Sequence, residues 1–225
     1  MTNVPSLYLV DDEMPVIDSL QRLVESISLP LVSIQRNEQL LGLLQPGSCG
    51  CLLLKLNAEH IGLLRHVRTL PVSIEAVFLT DVADVSLVVQ AMHLGATTVL
   101  KKPCRSEELL AAIRTAVGAA YSRQQKQEQC DAGRRKLKNL TKEESHVMRL
   151  MIAGRTNQEI ADQIQLSLRT VQFRRSSIFR KLKISTKSRL FDLAVTTGLL
   201  GELVADVPLM PVHSGEEAAS TRGSD

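Results

Sequence analysis

TNQEIADQIQLSLRTVQFRRSSIFRKL, running from Thr156 to Leu182, decides how the second half of this chain folds. Thr156 with Glu159 three residues on forms a capping box, in which hydroxyl and carboxylate each satisfy a backbone amide, so a helix starts there. It is short and carries Ile160, Ala161 and Ile164. Gln165-Leu166-Ser167 reads as a turn, and Ser167 is a good N-cap for a further helix ending near Leu182. Upstream, Thr141 with Glu144 is a second capping box. It opens a helix with Val147, Leu150 and Met151 on one face, stopped by Gly154. Short helices joined by so tight a turn make a helix-turn-helix.

At about 100° per residue, the last of these helices puts Leu168, Val171, Ile178, Phe179 and Leu182 on one face, the expected core side. Arg169, Phe173, Ser176, Ser177 and Arg180 point the other way. A phenylalanine in an amphipathic helix is ordinarily core, yet Phe173 falls amid the polar face. In a major groove its ring would cover a thymine methyl while Gln172 and Ser176 reach base edges. Arg169, Arg174 and Arg180, with Lys181 and Lys183, are the right type for phosphates, which position without specifying. Arg175 lies on the core side, with a stem that packs and a head that emerges. The expected DNA-binding set is Arg169, Thr170, Gln172, Phe173, Arg174, Ser176, Arg180 and Lys181.

Charge follows the same division. The net charge of +3 hides 9 basic and 12 acidic residues over 1–120, 17 and 7 over 121–200, and 1 and 5 over 201–225. The middle block is the polyanion-binding one, although a charged block by itself is as often a solvated face. Before residue 120, strand-length apolar runs alternate five times with helical patterns, the signature of βα units around a parallel sheet. The strand candidates are Leu7–Val10, Leu31–Ile34, Cys51–Leu54, Ala76–Leu79 and Thr98–Leu100. Val16, Leu20, Leu23, Val24 and Ile27 repeat at helical spacing after the first strand, as do Leu109, Leu110, Ile113, Ala116 and Val117 after the fifth.

The expected organisation is therefore an α/β domain over 1–120, a polar linker or helical extension over 121–138, an all-α domain over 139–200, and an acidic, disordered tail over 201–225. A hydrophobic fraction of 44% and a charged fraction of 23% suit an ordinary soluble protein. No apolar run reaches the roughly 18 residues of a membrane span, and the first residues lack a signal-peptide layout, so a cytoplasmic protein without membrane contact is expected. Cys49, Cys51, Cys104 and Cys130 have no metal-ligand spacing and read as reduced apolar fillers. No Gly-rich phosphate loop or nucleophile–base pairing points to an enzyme, and no metal or cofactor is expected.

Leu140-Thr141-Lys142-Glu143-Glu144, Ala153 to Ala161, Arg169 to Arg175 and Arg180-Lys181-Leu182 together resemble the LuxR-type (GerE) helix-turn-helix of FixJ/NarL-type response regulators, along about 55 residues. The resemblance implies a four-helix domain whose third helix enters the major groove of double-stranded DNA. It also implies a last helix, about Ser185–Thr197, that forms a homodimer contact. Phe173 and Arg174 depart from the family pattern, which usually has a small aliphatic residue and a histidine there, so site preference does not carry over.

The first domain resembles the receiver of these regulators, a flavodoxin-like (βα)5 doubly wound sheet. Asp11 and Asp12 correspond to the family's acidic pair, Thr80 to its switch hydroxyl, and Lys102-Pro103 to its lysine and proline. The aromatic switch position, three before that lysine, holds Val99. Where the family has the aspartate that accepts a phosphoryl group, at the end of the third strand, this sequence has Lys55, and an ammonium cannot form an acyl phosphate. The loop that follows lacks the family's Met-Pro step and reaches Gly62 early. A pocket of Asp11, Asp12, Lys55 and Lys102 sums to zero charge, so Lys55 acts either as a built-in cation replacing Mg²⁺ or as a solvent-facing remnant of an unused site.

The reading that follows is a DNA-binding transcriptional regulator with an atypical receiver, controlled by a protein partner, a small molecule or dimerisation. The alternatives are a phosphorelay regulator with another acceptor, such as Glu59 or Asp81, and an interaction adaptor without specific DNA sites.

Overall fold

The computed structural model describes residues 4–10, 14–82 and 84–200, with backbone alone over 14–19. Asp11, Asp12 and the acidic tail expected over 201–225 lie outside the described residues. The chain divides into two compact units, residues 1–129 and 130–225.

In the first unit the apolar segments form β1 (Ser6–Val10), β2 (Leu31–Ile34), β3 (Cys49–Lys55), β4 (Ser73–Thr80) and β5 (Thr98–Lys101). All pair in parallel, in the order β2-β1-β3-β4-β5. Helices α1 (Met14–Glu25), α2 (Asn37–Leu43), α3 (Ala58–Val67), α4 (Val85–His93) and α5 (Ser106–Leu137) follow the strands in turn. Alternation along the central strands assigns the two faces. Leu52, Leu54, Ala76 and Phe78 enter one apolar cluster, while Cys51, Leu53, Val77 and Leu79 enter the other. A parallel sheet covered on both faces needs such near-continuous apolar strands.

β3 starts two residues before its expected bound. Gly50 is strand, with φ +149°, and a Cβ there would lie 1.9 Å from the Ser6 carbonyl oxygen, so the close approach of β1 requires glycine. α1 ends at Glu25, which leaves Ile27 in the turn beyond it.

The polar stretch 121–138 is helix as far as Leu137. Polar anchors replace an apolar stripe: Arg123 pairs with Glu75 of β4 at 3.4 Å, and the buried Gln124 donates to the Gly47 carbonyl at 3.3 Å. No helix among the described residues is long and apolar enough to cross a membrane.

The second unit contains α6 (Lys142–Ile152), α7 (Asn157–Gln163), α8 (Leu168–Leu182) and α9 (Lys187–Thr196). Thr141 and Thr156 close the two capping boxes with Glu144 and Glu159, and Ser167 caps α8 through the Thr170 amide at 3.1 Å. Val147, Met151, Ile160, Val171, Ile178, Leu182, Leu190 and Ala194 form the core. Leu168, expected in it, is 40% exposed. It opens the first turn of α8, and the apolar place beside that turn is taken by Leu166. Gly133, near the end of α5, meets α9 so closely that a Cβ would lie 2.6 Å from Thr197 Cγ2.

Candidate functional site

The sheet order reverses beside β1, which puts the C-terminal ends of β1 and β3 at the switch point where ligands of open α/β sheets bind. Lys55 ends β3 there, one residue past the Leu54 that pairs with Val10, and it is exposed. The strand then passes into α3 through Leu56 and Asn57 alone. The Leu56 amide donates to the Leu79 carbonyl at 2.7 Å, and the Asn57 side chain accepts the His60 amide at 2.7 Å. Gly62, read above as part of a loop, lies inside α3, because Asn57 caps the helix immediately after the strand. His60 Nδ1 donates to the Lys55 carbonyl at 2.7 Å, which fixes the strand end further.

Thr80 is buried and its hydroxyl donates to the Val82 carbonyl, while the half-buried Lys102 donates its amide to the Thr80 carbonyl at 2.7 Å. β4 and β5 thus bring Thr80 and Lys102 together. Asp11 and Asp12, the remaining expected members of the pocket, lie outside the described residues. Glu59 in the first turn of α3 accepts from Asn37 at 2.5 Å, and Asp81 is exposed beyond β4. Among the described residues no cluster of His, Cys, Asp or Glu is able to hold a metal ion.

On α8 the expected DNA-binding residues divide into two groups. Arg169, Gln172, Phe173, Ser176 and Arg180 are exposed, and their spacing of three and four places them on one stripe opposite Val171, Ile178 and Leu182. Phe173, in the middle of the stripe, is 71% exposed. Thr170, Arg174 and Lys181 are half-buried on the flank. The Thr170 and Ser167 hydroxyls are 2.7 Å apart at the helix cap, and the Ser176 hydroxyl donates back to the Gln172 carbonyl at 3.1 Å. Arg174 borders a hollow with Lys142, Glu143, His146, Ile164 and Leu166. A hydrogen bond from Thr141, with Arg174 contributing, holds the Glu143 carboxyl below its usual range. The core-side Arg175 donates its guanidinium to the Asn157 side chain, locking α8 to the start of α7.

Lys181 turns toward α6. Its ammonium lies 2.6 Å from Glu144 Oε2, which also accepts the Thr141 amide at 2.9 Å, and Ser177 donates to Glu144 Oε1 at 2.7 Å. Glu144 is 7% exposed. Burial alone would raise its pKa, but these donors and the Lys181 charge outweigh burial and hold it at about 2. In the sequence Glu144 reads as a capping residue only. The signal for more was its place three and four residues before Val147 and Met148, inside the apolar stripe of α6, where a carboxylate requires a partner.

Comparison with known proteins agrees with this geometry. Residues 7–114 match the response regulator receiver domain, and residues 138–194 match the bacterial regulatory proteins of the luxR family. The response regulator protein TodT of Pseudomonas putida is 30% identical over 80% of this chain and 81% of its own length. The transcriptional regulatory protein FixJ of Bradyrhizobium diazoefficiens is 28% identical over 90% of this chain and 100% of its own. Among solved structures, the response regulator StyR superposes with a TM-score of 0.76 at 29% identity, covering 85% of this chain and 98% of that one. The chain belongs to the two-component response regulators that join a receiver domain to a LuxR-type DNA-binding domain, and it is a transcriptional regulator.

Proposed function

We propose that this regulator binds the major groove of double-stranded DNA through α8, as a homodimer joined by α9, in the cytoplasm and without phosphoryl transfer at the end of β3. The observation that carries the first part is the exposed stripe of Arg169, Gln172, Phe173, Ser176 and Arg180, two cations flanking groups able to reach base edges and a methyl. Arg174 stands ready at its flank. Lys181, held by Glu144, contributes mainly to packing.

Lys55 supports the second part. Its amine is no acceptor for a stable acyl phosphate, and the two-residue passage into α3 leaves little room for a neighbouring carboxylate to take the aspartate's place. The donor set of Asp11, Asp12, Lys55 and Lys102 does not fit Mg²⁺, which favours an excess of carboxylates. Lys55 acts there as a cation in place of the metal. A carboxylate within about 4 Å of it gains up to about 4 kcal/mol before desolvation is subtracted. The receiver is then independent of the phosphoryl signal and takes its input from a partner or small molecule.

Phosphate-affinity gels after acetyl phosphate treatment, paired with selection of bound sites from random DNA without phosphodonor, test this. No shifted band and a recovered consensus are the expected results. A shifted band overturns the reading of Lys55, and loss of all sequence preference overturns that of α8.

A further inference from the structure

Beside the stripe on α8 lies a hollow of about 430 Å³. Its walls are Lys142, Glu143 and His146 from the first two turns of α6, Ile164 and Leu166 from the turn between α7 and α8, and Arg174 of α8. All six belong to the second unit. Arg174 follows Phe173 and so lies about 100° round the helix from the centre of the stripe. Ser177 and Lys181 share that flank, and both bond Glu144 in the first turn of α6. The start of α6 therefore stands against one side of the helix whose exposed face carries Phe173.

A helix with its side chains is about 10–12 Å across and the major groove about 12 Å wide, so a helix lying in that groove brings its two flanks up to the two phosphate backbones. The backbone on the flank of Arg174, Ser177 and Lys181 then meets the start of α6. Lys142 is exposed and Arg174 half-buried, and neither enters a hydrogen bond or ion pair among the described residues. Both act on Glu143 through charge alone, while its carboxyl takes its hydrogen bonds from the Thr141 side chain and its own amide. The donors of both cations are thus left without a protein acceptor. A phosphodiester supplies what they lack, oxygens that accept from a guanidinium in pairs and from an ammonium singly. Its deoxyribose carbons suit the apolar floor of Ile164 and Leu166, and the exposed His146 adds a ring N–H at the rim. Glu143, being ionised, opposes such a phosphate.

We infer that a backbone phosphate of the strand on this flank is held in the hollow by Lys142 and Arg174, so that the DNA interface extends from α8 onto the start of α6. The inference rests on the reading of α8 as the groove-binding helix. A contact of this kind fixes how α8 is turned in the groove and adds affinity without adding sequence information.

The test measures the affinity of the full chain across a salt series, on a duplex carrying the site selected from random DNA and on an unrelated duplex. Lys142→Ala lowers the slope of log affinity against log salt by about 0.9 on both, so the advantage of wild type shrinks about 3.5-fold between roughly 50 and 200 mM salt. Arg174→Ala does the same. Glu143→Gln tightens binding to both duplexes, and Arg65→Ala, which removes an exposed cation of α3, leaves the slope unchanged. Ethylation of one phosphate at the edge of the site weakens wild type and ceases to matter to Lys142→Ala. An unchanged slope in either Lys142→Ala or Arg174→Ala, where Arg180→Ala still lowers it, overturns the inference and leaves the reading of α8 standing. Unchanged slopes in all three variants overturn both. A loss confined to the selected site also overturns the inference, because the hollow would then read bases.

Discussion

Replacing Glu144 with glutamine removes the charge that α6 and α8 share while keeping the shape. The glutamine keeps one acceptor oxygen, enough for the Thr141 amide, while its NH2 turns to the Ser177 hydroxyl as a donor, and the Lys181 ammonium is left without its counter-ion. A carboxyl whose pKa falls from an ordinary 4.5 to about 2 on folding stabilises the folded form by at most about 3 kcal/mol at neutral pH. Lys181 is one-third exposed, with a side-chain value of 33%, so solvent screening brings the expected loss down to about 2 kcal/mol. Hydrogen exchange of the full chain, read on peptides covering α6 and α8, reports this locally without assuming two-state unfolding. At pH 7 those amides should exchange about 30-fold faster in Glu144→Gln, the rate equivalent of that loss. The depressed pKa sets the pH window: the contribution is complete above the unfolded value of 4.5 and is lost as pH falls toward about 2. After correction for intrinsic rates, more than half of the difference between wild type and variant should therefore be gone by about pH 3. Equal exchange at pH 7, or a difference that keeps its full size at low pH, would refute the account of Glu144 as an ionised cross-link.

Two further outcomes follow from the second unit. Gly133→Ala gains about 1 kcal/mol of helix propensity but sets a Cβ 2.6 Å from Thr197 Cγ2 and 3.0 Å from Leu193 Cδ1. Thr197 is held by its hydroxyl bond to the Leu193 carbonyl and yields little, so the overpacking cost of about 1–3 kcal/mol prevails. Exchange of α9 amides should therefore quicken, and slower exchange would show that the contact relaxes freely. On DNA, Arg180→Ala should reduce the slope of log affinity against log salt by about 0.9, whereas Lys181→Ala should leave the slope unchanged and loosen α6 against α8. Equal slope changes would mean that Lys181 leaves Glu144 for a phosphate.

Those features whose cause is local were the ones legible in the sequence. Capping boxes at Thr141 and Thr156, the Ser167 cap and the five apolar runs each act within a few residues, and their helices and strands lie where the pattern puts them, within two or three residues at the ends. The departures from the expected reading are at positions settled by packing or pairing that the local pattern does not show. Leu168 fits the apolar side of a helical wheel, but Leu166 takes the place beside it. Gly62 looks like a loop residue until the Leu56 amide bonds the Leu79 carbonyl and α3 starts at once. Lys181, read as a phosphate contact, is drawn to a carboxylate 37 positions away that had a sufficient local explanation as a cap.

The division of cations on α8 bears on what the helix recognises. Of its basic residues, Arg175 is engaged with Asn157, Lys181 with Glu144, and Arg174 lies beside Glu143, whose ionised form Arg174 favours. Arg169 and Arg180 remain at the two ends of the exposed stripe, eleven positions or about 16 Å apart on a helix. Charge at the ends anchors the helix along the phosphate backbone but reads no sequence. The centre holds Gln172, Phe173 and Ser176, and leaving a phenylalanine ring in water forgoes roughly 2 kcal/mol of burial that a core position would give. A surface adapted only to a polyanion has no use for that ring, whereas a base-reading surface does, because an apolar group against a thymine methyl recovers the burial only on the correct sequence. The preference of this regulator among DNA sites should therefore rest on Phe173 and its neighbours more than on the arginines, and the arginines should set how strongly it holds any DNA at all.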